Sequence, residues 1–177
     1  SKAAPLPKAA PYDSADRQAL PMVFGDVPSF LGAEPIKLPD GAAGRDVIFM
    51  GVPWEGPITW GGWSGCELAT KSIRQASARY GGYLPDYDID AKAHLNLADG
   101  GDVAVTQGDS PATMAAIRRS ADMIAAQGAK PFFLGGDHSY TPALVAALAE
   151  QAGGPLGGIP PDAHLDHNPA FDGDPYA

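Results

Sequence analysis

Thiols, long apolar runs and positive charge are all scarce in this chain, and each scarcity closes a class of functions. Cys66 is the one cysteine in 177 residues, which excludes an internal disulfide framework and fits a reducing compartment such as the cytoplasm. No apolar run approaches the roughly 18–20 residues that cross a bilayer, and the first residues lack the apolar stretch of a secretory signal. Lysine and arginine number 12 against 21 acidic residues, for a net charge of −9. Such a surface is unsuited to nucleic acid or an anionic membrane and is compatible with a cationic substrate. There is no Gly-x-Ser-x-Gly elbow, no glycine-rich phosphate loop leading into Lys-Ser/Thr, and no internal repeat. Cys66 has no flanking feature of a nucleophile and reads as a packed thiol.

What the chain has in quantity is turn chemistry, with 22 glycines and 18 prolines, and enough apolar residues (45%) for a real core. Its length is that of one domain. Residues 1–22, rich in Ala, Pro and Lys, form an arm that is either disordered or laid on a neighbouring subunit; residues 23–177 form the domain. Asp46 to Pro53 is an apolar strand covered on both faces. Glu67 to Tyr80 is a helix with Leu68, Ile73, Ala76 and Tyr80 as its apolar positions, stopped by Gly81-Gly82. A polar connection, Asp86 to His94, leads to a weaker strand, Leu95 to Val103, bent at its glycines. Ser110-Pro111 opens a helix as cap and first-turn proline. Lys130 to Leu134 is the next strand, Thr141-Pro142 opens a helix carrying Leu144, Val145 and Leu148, and Leu156 to Pro161 leads as a last strand into Asp162. Strands alternating with helices predict an α/β fold, a mostly parallel sheet in a three-layer arrangement with helices on both faces.

The chemistry concentrates at Asp162-Ala163-His164-Leu165-Asp166. Side chains alternate along an extended chain, so Asp162, His164 and Asp166 face one way. His138 ends Gly135-Gly136-Asp137-His138 after another strand. With the two strands side by side, four ligands meet at their carboxyl ends, where open α/β sheets place their sites. Carboxylate and imidazole without thiolate favour manganese, nickel, cobalt or zinc, and aspartates can bridge two ions. Gly135-Gly136 lets the backbone turn sharply beside the site. His94 reads as exposed, and His167 falls on the face away from Asp166. Trp54, Trp60 and Trp63 lie within ten positions; they either wall a pocket for a flat cation or pack their loop against the domain or a subunit.

Gly135-Gly136-Asp137-His138-Ser139 and Asp162-Ala163-His164-Leu165-Asp166 resemble two metal motifs of the ureohydrolase family: arginases, agmatinases and their guanidine-hydrolysing relatives. Gly51-Val52-Pro53-Trp54, the run Ser72 to Ser77 and Gly101-Asp102-Val103 support the likeness, which covers roughly Phe24 to Asp166. The resemblance implies the arginase-like fold and two divalent ions, manganese or in some relatives nickel. Asp162 would bridge both ions, with His138 and Asp166 completing one and His164 the other. A bridging hydroxide would attack the guanidinium carbon of a small cationic guanidino substrate, releasing urea and an amine or ammonia. It also implies a trimer or hexamer. Gly62 to Glu67 looks most like the guanidine-hydrolase branch, which favours a small or alkylated guanidine.

The chain departs from that pattern in four ways. The later Ser-x-Asp-x-Asp segment and the late glutamate that contacts the guanidinium are missing, as is a histidine expected soon after Asp166, and Pro160-Pro161 interrupts the strand before Asp162. The expectation is therefore about the N-terminal half of an enzyme. The alternatives are a non-catalytic subunit paired with a full-length paralogue, or a metal-binding module with another role.

Overall fold

Val47-Ile48-Phe49-Met50-Gly51 is the strand on which the sheet is built, an uncharged β-branched and aromatic run suited to burial on both faces. The computed structural model describes residues 27–56, 64–80, 82–159 and 161–162. Along them run β1 (Glu34–Pro35), β2 (Val47–Gly51), α1 (Ala69–Ser77), β3 (Tyr83–Leu84), β4 (Ile89–Asp90), α2 (Ala91–His94), β5 (Leu97–Asp102), α3 (Ser110–Ala125), β6 (Lys130–Leu134) and α4 (Thr141–Ala152). The main sheet has the order β1-β5-β2-β6, with every pairing parallel. Alternation along β2 sends Ile48 and Met50 into a core with Ala116, Ile117 and Ile124 of α3, with Leu144 of α4 packed beside them. Phe49 points the other way, packing with Leu134, Ala33 and Ile73 of α1. Helices thus cover both faces, and the three-layer parallel arrangement expected from the sequence is present.

The burial of α1 differs from the expected apolar stripe. Its buried residues are Thr70, Arg74 and Ser77, whereas Tyr80 is 68% exposed. Arg74 has no exposed side-chain surface. Its Nε and Nη2 donate to the two carboxylate oxygens of Asp99, each at 2.8 Å, in a bidentate fork. Its Nη1 donates to Asp102 Oδ1 at 2.5 Å and Nη2 also reaches the Gly101 carbonyl at 2.8 Å. Burial opposes the charge on Arg74, but the two carboxylates outweigh it and raise the pKa of the guanidinium. Asp99 also accepts from the Phe30 and Gly101 amides. The cluster pins α1, the middle of β5 and the turn at residues 30–32 together. Gly51 makes room for it: a Cβ there would lie 1.9 Å from Asp102 Oδ1.

Several local expectations shift. Asp109, not Ser110, caps α3, accepting from the Ala112 amide at 2.9 Å. Thr141 caps nothing; α4 continues directly from a 3-10 turn, His138–Tyr140, capped by Asp137. The polar connection carries β4, paired with β3 just before it in a hairpin, and the one-turn α2. The strand expected before Asp162 is not formed at residues 155–159 or 161–162. Pro155 and Pro161 have no N–H to donate to a ladder, and Gly157 and Gly158 add no side chain to pack. The ligand strands therefore do not lie side by side among the described residues. The N-terminal arm, residues 1–22, lies outside them.

Candidate metal centre

Because the strands are parallel, the segments leaving β2 and β6 emerge at one end of the sheet, and there His138 and Asp162 approach each other. Leu134 ends β6 and Gly135-Gly136 follow with φ of +77° and +73°. Only glycine fits there: a Cβ on Gly136 would approach the Val52 carbonyl to 2.7 Å, and one on Gly135 the Thr70 amide to 2.8 Å. Gly136→Ala should therefore lose about 1–2 kcal/mol from the left-handed backbone alone, with the clash added. A denaturant midpoint unchanged from wild type would contradict this.

The turn is gripped from two sides. On the β2 side, the Asp137 amide donates to the Trp54 carbonyl at 3.2 Å. The Gly56 amide donates to Asp137 Oδ2 at 2.6 Å, and the Trp54 indole donates to Ser139 Oγ at 3.2 Å. Asp137 Oδ1 accepts from the Ser139 amide and hydroxyl at 3.0 and 2.5 Å. On the α1 side, the Gly136 amide donates to the Cys66 carbonyl at 3.3 Å. Burial, with the Asp137 charge nearby, pushes the Tyr140 phenol up. Asp137 is thus a structural member of the turn, and its neighbour His138 is presented outward with its side chain half exposed.

His138 Nδ1 lies 3.9 Å from Asp162 Oδ2. That is too long for a hydrogen bond and suits two donors on one ion, since ligands each about 2.0–2.2 Å from a metal lie within roughly 4 Å of each other. The donor pair, one imidazole and one carboxylate, fits a borderline divalent cation such as manganese or nickel. Among the described residues no third His, Cys, Asp or Glu completes a cluster; His164 and Asp166 lie outside those residues. So do Trp60 and Trp63. Trp54 is only 2% exposed, in keeping with the packing role for that indole.

Sequence reasoning passed over Glu55. Its carboxylate accepts the amides of Ser64, of Gly65 at 2.7 Å and of Cys66 at 2.9 Å. Partial burial works against its charge and is outweighed by the Ser64 and Gly65 amides, the Ser64 hydroxyl and a hydrogen bond with Glu67, so its pKa falls to about 2. An acidic residue eleven positions before a helical turn carries no local signal of such a role. A cleft of about 500 Å³ opens at the other edge of the sheet, lined by Arg45, Asp46, Lys92, His94 and Asn96 among others. It precedes the strands and is remote from His138. No helix among the described residues is long and apolar enough to cross a membrane.

Comparison with known proteins bears on the same residues. A family model described as "Arginase family" matches residues 45–177. Formimidoylglutamase of Halobacterium salinarum is 35% identical over 133 residues, covering 75% of this chain and 42% of that protein. The structure of proclavaminate amidino hydrolase from Streptomyces clavuligerus superposes with a TM-score of 0.72 at 28% identity, covering 90% of this chain and 49% of the other. That of Trypanosoma cruzi formiminoglutamase with Mn2+ gives 0.67 at 26% identity, over 83% and 48%. The chain spans about half the length of the relatives it matches. Its parallel sheet, its glycine-hinged histidine turn and the match from residue 45 onward lead to one conclusion: the chain belongs to the arginase family.

Proposed function

We propose that this chain supplies the His138–Asp162 side of a divalent-metal centre that hydrolyses a guanidino compound to urea and an amine or ammonia. The approach of His138 Nδ1 to Asp162 Oδ2, at 3.9 Å, carries the reading, together with membership of the family. Asp162 would hold both ions and act as the catalytic positioning group, with His138 and Asp166 on one ion and His164 on the other. Manganese is the favoured ion, in line with the Mn2+ held by the Trypanosoma cruzi relative, and nickel is the alternative. When bound, such ions acidify a coordinated water toward neutral pH and polarise the carbon under attack. The chain's own part is to hold the histidine in place: Gly135-Gly136 set the approach and Asp137 fixes the turn that presents His138, while Asp162 faces it from a separate segment.

A small or alkylated guanidine is the proposed substrate. Its flat cation would stack on Trp60 and Trp63 through cation–π contact, and the acidic surface would draw it in. The active form is a homo-oligomer, or a hetero-oligomer with a paralogue, in the cytoplasm, with the remaining ligands from further polypeptide in the first case and from the paralogous subunit in the second.

Metal content per chain, paired with intact mass, and urea release from guanidine, methylguanidine, agmatine and arginine test this. Bound manganese or nickel with urea from the small guanidines is the expected result. Turnover of arginine above the others would overturn the substrate class. Stable metal without urea, and stimulation of a full-length paralogue, would favour the non-catalytic subunit.

A further inference from the structure

Glu55 sits between the two residues that hold the histidine turn from the β2 side, Trp54 and Gly56. Its side chain reaches to residues 64–66, where Cys66 holds the same turn from the α1 side through its carbonyl. We propose that Glu55 is a positioning residue of the metal centre, its carboxylate joining the two limbs between which Gly136-Asp137-His138 is seated. The proposal rests on the functional reading above, which makes His138 a ligand.

The geometry favours a carboxylate. One oxygen accepts from Ser64, and the other from Gly65 and Cys66 together. These amides lie at the entrance to the 3-10 turn Cys66–Leu68, with Gly65 at its cap and Cys66 its first residue, and one carboxylate satisfies all three N–H groups. A glutamine would offer one accepting oxygen and turn an NH2 toward an N–H. Loss of the carboxylate frees the Cys66 carbonyl to move away from the Gly136 amide, while Trp54 and Gly56 keep their bonds to Asp137 and Ser139. The histidine turn is then held from one side only. Supporting groups of this kind tune metal affinity through ligand orientation.

Glu55→Gln and Glu55→Asp, made in the otherwise unaltered protein, test the assignment by hydrogen exchange and by titration with Mn2+ alone. In Glu55→Gln the amides of residues 64–66 and of 135–139 should exchange faster, with β5 and α3 unchanged, and Mn2+ affinity should fall about tenfold. Glu55→Asp keeps the charge and should recover most of both. Faster exchange confined to 64–66 with wild-type Mn2+ affinity would overturn the proposal, since Glu55 would then be a local staple. So would uniform acceleration across β5 and α3, which marks a general loss of stability. If the wild-type protein itself takes up no Mn2+, the functional reading fails, and exchange at 135–139 then decides for or against the clamp on its own.

Discussion

Arg74→Met is expected to cost about 3–5 kcal/mol of folding stability, the range for removing one partner of a buried ion pair. Folded domains of this size hold only about 5–15 kcal/mol in all, so the variant should be largely unfolded in moderate urea. The reason is desolvation rather than lost attraction. Asp99 and Asp102 are 0% and 1% exposed, and without the guanidinium two carboxylates remain in a space that water does not reach. Arg74→Lys should recover little, because an ammonium cannot match the fork to Asp99 and the third contact to Asp102 at once. The exposed pair of Arg45 with Glu34, whose carboxylate side chain is 64% exposed, sets the contrast: Glu34→Ala should change stability by less than about 1 kcal/mol. Urea midpoints of the three variants measure this. An Arg74→Met midpoint near wild type would mean that the cluster does not hold α1 to β5.

Asp162→Ala and His138→Ala should each abolish tight Mn2+ binding, a larger loss than the roughly 10–100-fold that accompanies removal of a supporting group. The consequence is readable without any substrate. A ligand that binds only the folded chain adds RT ln(1 + [L]/Kd), about 2.7 kcal/mol at a hundredfold excess over Kd. Wild-type protein should gain that much thermal stability on addition of Mn2+ and lose it to a chelator, while both variants should melt at one temperature with or without the ion. Asp162→Asn separates charge from shape: it keeps the volume and one oxygen yet loses the anion, and should behave like the alanine variant. A normal Mn2+ response in Asp162→Ala would remove Asp162 from the ligand set.

Local patterns carried much of this molecule. β2 and β6 stand out as apolar runs, α3 and α4 begin at their prolines, and the paired glycines before Asp137 announce a turn that no other residue could make. The histidine and the alternating aspartates marked a candidate site by composition and spacing alone. Long-range pairing carried the rest. Arg74 looks in sequence like a solvated position on an amphipathic helix; its partners Asp99 and Asp102 lie 25 and 28 residues away, and no periodicity announces that a charge will be buried when the neutralising groups belong to another strand. Glu55 was silent for the same reason, its donors being 9 to 11 residues distant. The central place of β5, with its bend at Gly100-Gly101, could be settled only by its two parallel neighbours. By itself the sequence determined the main strands and helices, the α/β class and which side chains are candidates for a metal, because these follow from side-chain chemistry and short-range spacing. Which charges are buried, which amides the Glu55 carboxylate accepts, and that residues 155–159 and 161–162 form no strand were decided by tertiary structure, because each depends on what distant residues leave exposed or supply.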